Sequence, residues 1–445
     1  MVFVVDKIKT KSIFSLYICV LCLLLFARDV IGVNIPLFLY LVYFSIAYCF
    51  FSYDECLAVS AMLPLLNHGI QTNYVMLIAC VMYILRFRRN TKINEVHAIV
   101  LLLCIYELFH AFIPVFSFSE YSRYMFSFIY MALILGEYKI QNLLKNEKIV
   151  LRTFVFMDAY FMLEVFLVTI KYLSFSALLS SGFRFGTLED YVVGKPTLFD
   201  NENMVGLFAL VGIGILFVLL MNGKKKKIQN ILLIIYFSFF GLLTTSKTFI
   251  ICLVFMVILF ILYIYRLSFF KALGITVVTV TGVFYAINTV LSNEVQRYIL
   301  RFQAADLSTG RNDLLREYNR YIFSDWKRVT FGIGLQNVVE KSGVHNSPHN
   351  ATQELLLCWG IIGIAVMLVL TIIVFKNVRH RFTKKPALFY YILPIVYVVY
   401  IQTIQFIRLP SIFGLVIVIY VSMLLGCREN MKQRWRNMKS KAIKY

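Results

Sequence analysis

Apolar runs of roughly 17 to 25 residues recur along nearly the whole of this chain, and a helix of that length crosses about 30 Å of hydrocarbon. Backbone polar groups inside a bilayer must bond within their own segment, so such runs fold as helices. Of the 445 residues, 60% are hydrophobic and 15% are charged, and the mean hydropathy is +0.78. These values fall outside the range of water-soluble domains. We therefore predict an all-α polytopic membrane bundle that forms a single membrane domain, 1–445.

The formal net charge of +21 would suit a nucleic-acid partner, but the basic residues are concentrated in short segments between the apolar runs. The positive-inside rule accounts for that placement, so we predict no nucleic-acid binding and assign these segments to the cytoplasm. Both termini then lie inside, and the number of spans is even. The basic tail, 428–445, is expected on anionic lipid of the inner leaflet. The other basic segments are 7–11, 86–92, 139–148, 224–227 and 379–385.

The apolar runs predict about 12 to 14 transmembrane helices. No small-residue cleavage site follows the first run, so we expect no cleaved signal peptide. A short candidate span at 56–66 is interrupted by Pro64. The other predicted spans are 13–31, 35–52, 70–86, 97–115, 122–138, 150–173, 203–221, 229–245, 248–265, 268–289, 353–375, 387–405 and 409–426.

Charge placement leaves two long segments on the external side, 174–203 and 290–352. Loops this long in a compact bundle usually bind ligands or carry catalytic residues. The second loop contains a predicted helix with one apolar face. Arg311, Arg316 and Arg320 belong to this helix but lie outside the apolar face. The apolar positions are Leu314, Leu315, Tyr318, Tyr321 and Ile322. A plain interfacial helix with snorkelling arginines remains the alternative.

A polar turn with two histidines, His345 and His349, precedes a long apolar run. Ser347 followed by Pro348 fits an N-cap and a first helical residue, which predicts His349 and Asn350 in the first turn of the next helix. Free N–H groups and the positive end of the helix dipole would bind an anion and disfavour imidazolium, leaving His349 available as a base. A passive histidine at the membrane boundary is the alternative.

The helix after this turn carries Glu354 and a glycine pair, Gly360 and Gly363, which we expect to admit a neighbouring helix. His349-Asn350 followed eleven residues later by that pair resembles the O-antigen polymerase and O-antigen ligase family of bacterial envelope glycan enzymes. The resemblance covers roughly residues 180–375. Its segments are Arg184, FDNENMVG (199–206), TTSKT (244–248), STGRNDLL (308–315), FGIGLQN (331–337) and PHNATQELLLCWGIIG (348–363). This chain has Ser246-Lys247 where the family commonly has Ser-Arg.

The resemblance implies glycosyl transfer on the periplasmic face of the inner membrane, from an undecaprenyl-diphosphate-linked oligosaccharide to a sugar hydroxyl. His349 would deprotonate the acceptor, with Glu354 or His345 as its partner. Cations would bind the diphosphate and stabilise its developing charge. The candidates for that role are Arg184, Lys247, Arg301 and Arg311, and we expect Arg316, Arg320 and Asn350 to contribute to substrate binding. A chain-length regulator protein is a further expected partner.

Three alternatives stay open. Within the family, a polymerase of surface polysaccharide is preferred over a ligase that moves the glycan to lipid A core, because the second loop is long and rich in arginine. A transporter or flippase would explain ionisable residues inside predicted spans, namely Glu107, His110, Asp158, Glu164 and Lys171. A signalling or scaffold protein has only the basic tail to support it.

No metal or cofactor is expected. The nine cysteines lie almost entirely inside predicted spans and form no CxxC or Cys/His cluster, so they are interpreted as small apolar packing residues. The chain also contains no P-loop, no dinucleotide fingerprint and no HExxH motif. No carboxylate-rich ligand cluster is evident, which favours a metal-independent transfer.

Overall fold

The computed structural model of this protein describes residues 7–66, 72–87, 93–111, 117–137, 140–173, 185–186, 202–222, 227–265, 311–336, 338–344, 348–380, 388–404 and 414–426, with a few positions between 270 and 285. These residues are predominantly helical, and none of them lies in a strand. The predicted all-α class is therefore confirmed for this part of the chain.

The helices are numbered in chain order, and a π-helical segment, Ala27–Ile31, extends the first of them. In the N-terminal half they are α1 (Lys7–Phe26), α2 (Leu37–Phe50), α3 (Tyr53–Met62), α4 (Thr72–Phe87), α5 (Glu95–Ala111), α6 (Phe118–Leu135), α7 (Ile140–Leu143) and α8 (Glu147–Tyr172). They continue as α9 (Glu202–Met221), α10 (Lys227–Leu243), α11 (Lys247–Tyr265), α12 (Arg311–Phe323), α13 (Trp326–Phe331), α14 (Val338–Ser342), α15 (Ala351–His380), α16 (Ile392–Ile401) and α17 (Gly414–Gly426).

Four helical stretches are long and apolar enough to cross a membrane: Ile13–Ile31, Glu147–Tyr172, Glu202–Met221 and Ala351–Val378. The predicted spans 13–31, 150–173, 203–221 and 353–375 coincide with them to within a few residues. Shorter apolar helices occupy Leu37–Phe50, Tyr74–Phe87, Tyr124–Leu135, Lys227–Leu243, Lys247–Tyr263, Ile392–Ile401 and Gly414–Gly426. The candidate at 56–66 is helical and buried throughout. The span predicted at 268–289 lies largely outside the described residues.

Helix α9 is surrounded by other helices. Every residue from Glu202 to Leu219 is buried, and α9 packs against α8, α10, α11 and α16. A helix that is apolar on all sides suits such an interior position, as it also suits contact with lipid. Gly214 provides the close approach to α16, because a Cβ built there would lie 2.6 Å from Cδ1 of Leu393.

Polar contacts between helices mark two ends of the bundle. At one end, Arg86 of α4 donates to the carbonyl of Phe51 at 2.9 Å, and Lys148 of α8 donates to the carbonyl of Asn222, which follows α9, at 3.1 Å. The first residues of α9, α11 and α15 lie at the opposite end, together with the last turn of α16. The basic segments that contain Arg86 and Lys148 are therefore at the far end from the histidine turn.

Candidate functional site

Helix α15 begins at Ala351, and Asn350 is its N-cap. The Asn350 Oδ1 accepts a hydrogen bond from the N–H of Gln353 at 2.9 Å, and the Asn350 carbonyl accepts the first intrahelical bond at 2.8 Å. The predicted cap, Ser347, is therefore wrong: asparagine caps as well as serine does, and Asn350 adjoins the apolar run directly. His349 precedes the helix instead of lying in its first turn.

The His349 imidazole is half-buried at this helix start. Its Nδ1 is inaccessible to solvent and has no hydrogen-bond partner among the described residues. Burial, together with the positive charge of Arg311, lowers the pKa of His349 below its usual range, because both disfavour the imidazolium ion. Arg311, the first residue of α12, is thus close enough to act on His349. A neutral imidazole with an open nitrogen can accept a proton.

A buried polar cluster lies at the same end of the bundle. Ser246 Oγ, immediately before α11, donates to Asn203 Oδ1 of α9 at 2.8 Å. Tyr400 Oη of α16 donates to the Asn203 carbonyl at 2.9 Å and lies 3.4 Å from Ser246 Oγ. The charge of Arg311 also acts on Tyr400. Arg311 therefore acts electrostatically on both His349 and Tyr400, and Tyr400 belongs to the hydrogen-bonded group with Asn203 and Ser246.

The turn before α11 is strained. Thr245 has φ +52° and is 3% exposed, although a β-branched residue rarely adopts the left-handed region. Such residues occur preferentially at functional sites, where surrounding contacts hold them. Lys247, half-buried, follows as the first residue of α11, so the predicted cation does lie at this end.

Glu354 is fully buried in the first turn of α15. Its side chain and that of Lys247 are both engaged by neighbouring groups. A buried carboxylate is stable only when hydrogen bonds or an opposite charge compensate its desolvation. Glu354 is therefore a fixed part of the helix start, at the distance of one helical turn from Asn350.

Two glutamines fasten the helix start to its surroundings. Gln402, directly after α16, accepts at its carbonyl from Asn350 Nδ2 at 3.2 Å and at its Oε1 from Thr352 Oγ1 at 2.9 Å. Gln353 Nε2 donates to the Leu315 carbonyl at 2.9 Å and to a second acceptor on α12, Asn319 Oδ1, at 3.0 Å. Helix α12, which carries Arg311, is thereby held against the start of α15.

The span α15 is broken at Gly360, where φ is +63° and ψ is −164°. The preceding carbonyls of Leu357 and Cys358 instead accept from the N–H groups of Ile333 and Gly334 at 2.9 and 2.8 Å. These two donors belong to the FGIG motif, 331–334. A Cβ on Gly360 would lie 2.2 Å from the Thr330 carbonyl oxygen. The expectation that this glycine admits a neighbouring helix agrees with the structure: the neighbour is α13, and the contact is made at a break in α15.

Gly363, the second glycine of that pair, makes room for a side chain of its own helix, that of Trp359. A Cβ built on Gly363 would lie 2.2 Å from the Cβ of Trp359. Trp359 is itself fully buried, and its position depends on the irregular backbone at Gly360. The GxxG pattern therefore marks a broken helix here, which the sequence spacing alone does not distinguish from a helix-packing motif.

Glu107 of α5 accepts hydrogen bonds from both segments that meet at this break. Its Oε1 accepts from the N–H of Leu335 and its Oε2 from Nε1 of Trp359, both at 2.8 Å. Both carboxylate oxygens of Glu107 are thus used by parts of the chain more than 200 residues away. Glu107 has a structural role in holding the FGIG loop and the broken helix together.

The predicted arginines of α12 have different surroundings. Arg316 is exposed and lies 3.6 Å from Asp313, which is also exposed, and Arg320 is exposed as well. Only Arg311 is half-buried and near His349. The apolar face of α12 is confirmed by the complete burial of Tyr318 and Ile322. The remaining predicted site residues, Arg184, Arg301 and His345, lie outside the described residues.

Sequence reasoning did not single out four polar residues of this site. Asn203 and Ser246 stand inside motifs that were noticed, FDNENMVG and TTSKT, but no role was assigned to them. Tyr400 and Gln402 had no signal at all, since a tyrosine inside an apolar run and a glutamine at its end are common at membrane interfaces. Their importance comes from contacts with residues about 50 to 200 positions away in the chain.

Among the ionisable residues within the spans, Asp158 and Lys171 of α8 differ. Asp158 is fully buried, and neither carboxyl oxygen has a hydrogen-bond partner among the described residues. Lys171, at the end of α8, donates to the Val30 carbonyl at 2.8 Å. Lys171 therefore joins α8 to the π-helical segment, whereas Asp158 has no evident structural bond.

No group of three or more His, Cys, Asp or Glu side chains is arranged to hold a metal ion in the part of the chain that the structure describes. Comparison of this chain with protein-family models, with curated protein sequences and with solved structures finds no match. The site is therefore interpreted from its own geometry and chemistry.

Proposed function

We propose that the protein is a bacterial polysaccharide polymerase that joins undecaprenyl-diphosphate-linked oligosaccharide units on the periplasmic face of the inner membrane. The single observation that carries this proposal is the neutral, half-buried His349 beside the cation Arg311 at the mouth of an apolar bundle. A base next to a positive charge is what transfer from a diphosphate donor to a sugar hydroxyl requires.

In the proposed reaction, the acceptor hydroxyl oxygen forms a bond to the anomeric carbon of the donor sugar. The bond from that carbon to the diphosphate oxygen breaks, and its electron pair leaves with undecaprenyl diphosphate. The hydroxyl proton passes to His349, whose lowered pKa keeps it neutral and able to accept. Arg311 and Lys247 stabilise the negative charge that develops on the leaving group.

The same proposal includes a topology of about 12 to 14 transmembrane helices with both termini in the cytoplasm. The segments 174–203 and 290–352 would form the periplasmic loops, the second with the helices that carry active-site residues. It is supported by the position of Arg86 and Lys148 at the end of the bundle remote from His349. Growth of long chains would involve a separate chain-length regulator protein.

A ligase that transfers the glycan to lipid A core would use the same groups, so it is the alternative within this chemistry. A transporter or flippase for lipid-linked sugars is a proposal of another class. Asp158 favours it, since an unpartnered carboxyl in an apolar interior is typical of substrate or ion pathways. The other ionisable residues favour it less, because Glu107 and Lys171 already bind main-chain or indole groups.

The test is made in cells of the native host whose own gene copy is deleted. These cells are complemented with wild type, His349→Ala or Arg311→Ala at matched membrane abundance, and surface polysaccharide is separated on a gel. Lys327→Ala is the control, because Lys327 is an exposed cation of α13 outside the predicted site residues. A polymerase gives long ladders with wild type and Lys327→Ala, and single-repeat glycan with the other two variants.

The alternative functions predict different glycan patterns in the same experiment. Loss of all attached glycan, with long lipid-linked chains accumulating, would identify a ligase. Accumulation of unpolymerised lipid-linked units on the cytoplasmic face would identify a flippase. Unchanged ladders in both the deletion strain and the His349→Ala strain would refute the glycan proposal altogether.

A further inference from the structure

A second group of buried charges lies at the end of α1, outside the site described above. Arg28 forms a bidentate pair with Asp29, from Nε to Oδ1 and from Nη2 to Oδ2, both at 2.6 Å. Both residues are in the π-helical segment Ala27–Ile31, a distortion that is frequent at functional sites. Glu164 of α8, 2% exposed, comes within hydrogen-bonding reach of Asp29.

Two carboxyl groups in contact cannot both be ionised at low energetic cost, because like charges repel strongly when buried. The bidentate bond to Arg28 fixes Asp29 as the ionised member. A hydrogen bond between the two carboxyls then needs a proton on Glu164. With both carboxylates ionised, the group of Arg28, Asp29 and Glu164 would carry one uncompensated negative charge.

Tyr160 leaves room for a proton on Glu164. Its hydroxyl donates mainly to the Cys22 carbonyl at 2.7 Å. The contact from Tyr160 Oη to Oε1 of Glu164 is longer, 3.4 Å, so it is the weaker arm of a three-centre bond from the single tyrosine hydrogen. The tyrosine therefore gives a carboxylate at Glu164 little compensation.

Tyr40 of α2 completes the group. It is 2% exposed, and its hydroxyl has no hydrogen-bond partner among the described residues. The charges of Arg28, Asp29 and Glu164 all act on this hydroxyl, and Arg28 lies 5.4 Å from the centre of the Tyr40 ring. A buried hydroxyl that faces a carboxyl pair offers a further donor or acceptor for an exchanging proton.

We propose that the group formed by Arg28, Asp29 and Glu164 is a binding site for one exchangeable proton, which resides on Glu164. The groups that face Glu164 are Cys22 from α1, Arg28 and Asp29 from the π-helical segment, Tyr40 from α2 and Tyr160 from its own helix. Lys171, further along α8, binds the Val30 carbonyl at the same end of the bundle. The site therefore lies near the end of the bundle that carries His349.

The experiment uses the full-length protein, purified in detergent and treated with dicyclohexylcarbodiimide, which reacts with protonated carboxyls in apolar surroundings. Modified residues are identified by mass spectrometry of peptides across a pH series. We expect labelling of Glu164 at neutral pH, where an exposed glutamate is ionised and does not react. The exposed Glu317 in the same digest is the internal control and stays unlabelled.

Two variants give opposite expectations. In Asp29→Asn, Arg28 loses its carboxylate partner, and its positive charge then favours the ionised form of Glu164. We expect labelling to fall about ten-fold at the same pH, because a neighbouring charge shifts protonation by about one pH unit or more. In Arg28→Gln, no cation favours the ionised form, and Glu164 remains labelled. Elution volume and thermal unfolding verify that both variants are folded.

Infrared difference spectra between wild type and Glu164→Gln provide a second measurement that needs no reagent access. A protonated-carboxyl band that is lost in Glu164→Gln and disappears at high pH supports the proposal. Absence of both the band and the label overturns it, as does equal labelling in Asp29→Asn and Arg28→Gln. Suppression of labelling by sodium at constant pH and ionic strength would also overturn it, by identifying Na⁺ as the occupant.

Discussion

Glu107 and Trp359 are joined by a hydrogen bond of 2.8 Å from the indole Nε1 to the carboxylate, across 252 positions of sequence. The second carboxylate oxygen accepts from the Leu335 N–H at the same distance. One side chain of α5 therefore stabilises both partners of the junction between the FGIG loop and the broken span α15. The FGIG loop of this junction follows Arg311 in the chain, and the broken part of α15 follows His349. The junction therefore ties the two segments that carry these site residues to each other.

Replacing Glu107 should destabilise the folded protein. Glu107→Ala leaves two buried donors, Leu335 N–H and Trp359 Nε1, without acceptors, at a cost of about 1–3 kcal/mol each. Glu107→Gln keeps one acceptor oxygen and should lose less. Thermal unfolding in detergent measures the difference, with exposed Glu317→Ala as the control. Equal unfolding temperatures for Glu107→Ala and Glu317→Ala would show that the junction does not depend on Glu107.

Gly360→Ala should be much more damaging than Gly343→Ala. Both glycines have positive φ, +63° and +68°, so each alanine incurs backbone strain of about 1–3 kcal/mol. Only at Gly360 would the new Cβ also collide with main chain, at 2.2 Å from the Thr330 carbonyl oxygen, whereas at Gly343 no atom lies within 4 Å. Yield of monodisperse protein and unfolding temperature are the measurements. Similar losses in both variants would contradict the close contact at Gly360.

The N-cap of α15 is testable by a paired substitution. Asn350→Ala removes the acceptor for Gln353 N–H and should cost about 1–2 kcal/mol. Asn350→Asp retains the acceptor and adds a negative charge at a helix N-terminus, which is favourable, although it loses the donor to Gln402. We therefore expect Asn350→Asp to unfold at a higher temperature than Asn350→Ala. The reverse order would show that the bond to Gln402 matters more than the cap.

The acid–base behaviour of His349 should depend on Arg311. The pKa of His349 is lowered by burial and by this charge, so the imidazole stays neutral to a pH below the ordinary value of about 6.5. Arg311→Gln removes one cause and raises the pKa, so protonation begins at a higher pH. The rate of His349 acylation by diethyl pyrocarbonate, followed by mass spectrometry across a pH series, reports the neutral fraction.

Arg316→Gln is the matched control for that titration, because it removes an equal charge from an exposed position of the same helix. We expect its acylation profile to coincide with that of wild type. If both variants shift the profile equally, the effect comes from net charge and not from Arg311 in particular. If neither shifts it, burial alone accounts for the lowered pKa.

Some of this architecture was predictable because it depends on local periodicity. The apolar face of α12 follows from residues three and four apart, and Tyr318 and Ile322 are indeed fully buried. Leu315, at the edge of that face, is 36% exposed, since a helical stripe has borders that spacing alone does not define. The complete burial of α9 was not predictable in the same way, because α11 and α16 are as apolar and yet keep exposed residues such as Ile251 and Val398.

Other features depend on tertiary contacts that no local pattern encodes. Gly360 does admit a neighbouring helix, α13, but the spacing gave no sign that α15 is broken at that contact. Glu107 was predicted only as an ionisable residue inside a span, and its partners are more than 200 residues away. The start of α15 was misplaced by three residues because serine and asparagine are both good caps, and only the observed bond to Gln353 distinguishes them.

The break at Gly360 also sets a depth in the membrane. The stretch from 361 to the end of the apolar span at 378 covers about 27 Å at 1.5 Å per residue, close to the whole hydrocarbon thickness of about 30 Å. The stretch from 351 to 359 adds about 13 Å beyond the break. The part of α15 after the break is therefore long enough to cross the hydrocarbon by itself, and the segment before the break, which begins next to His349, is additional length that crossing does not need.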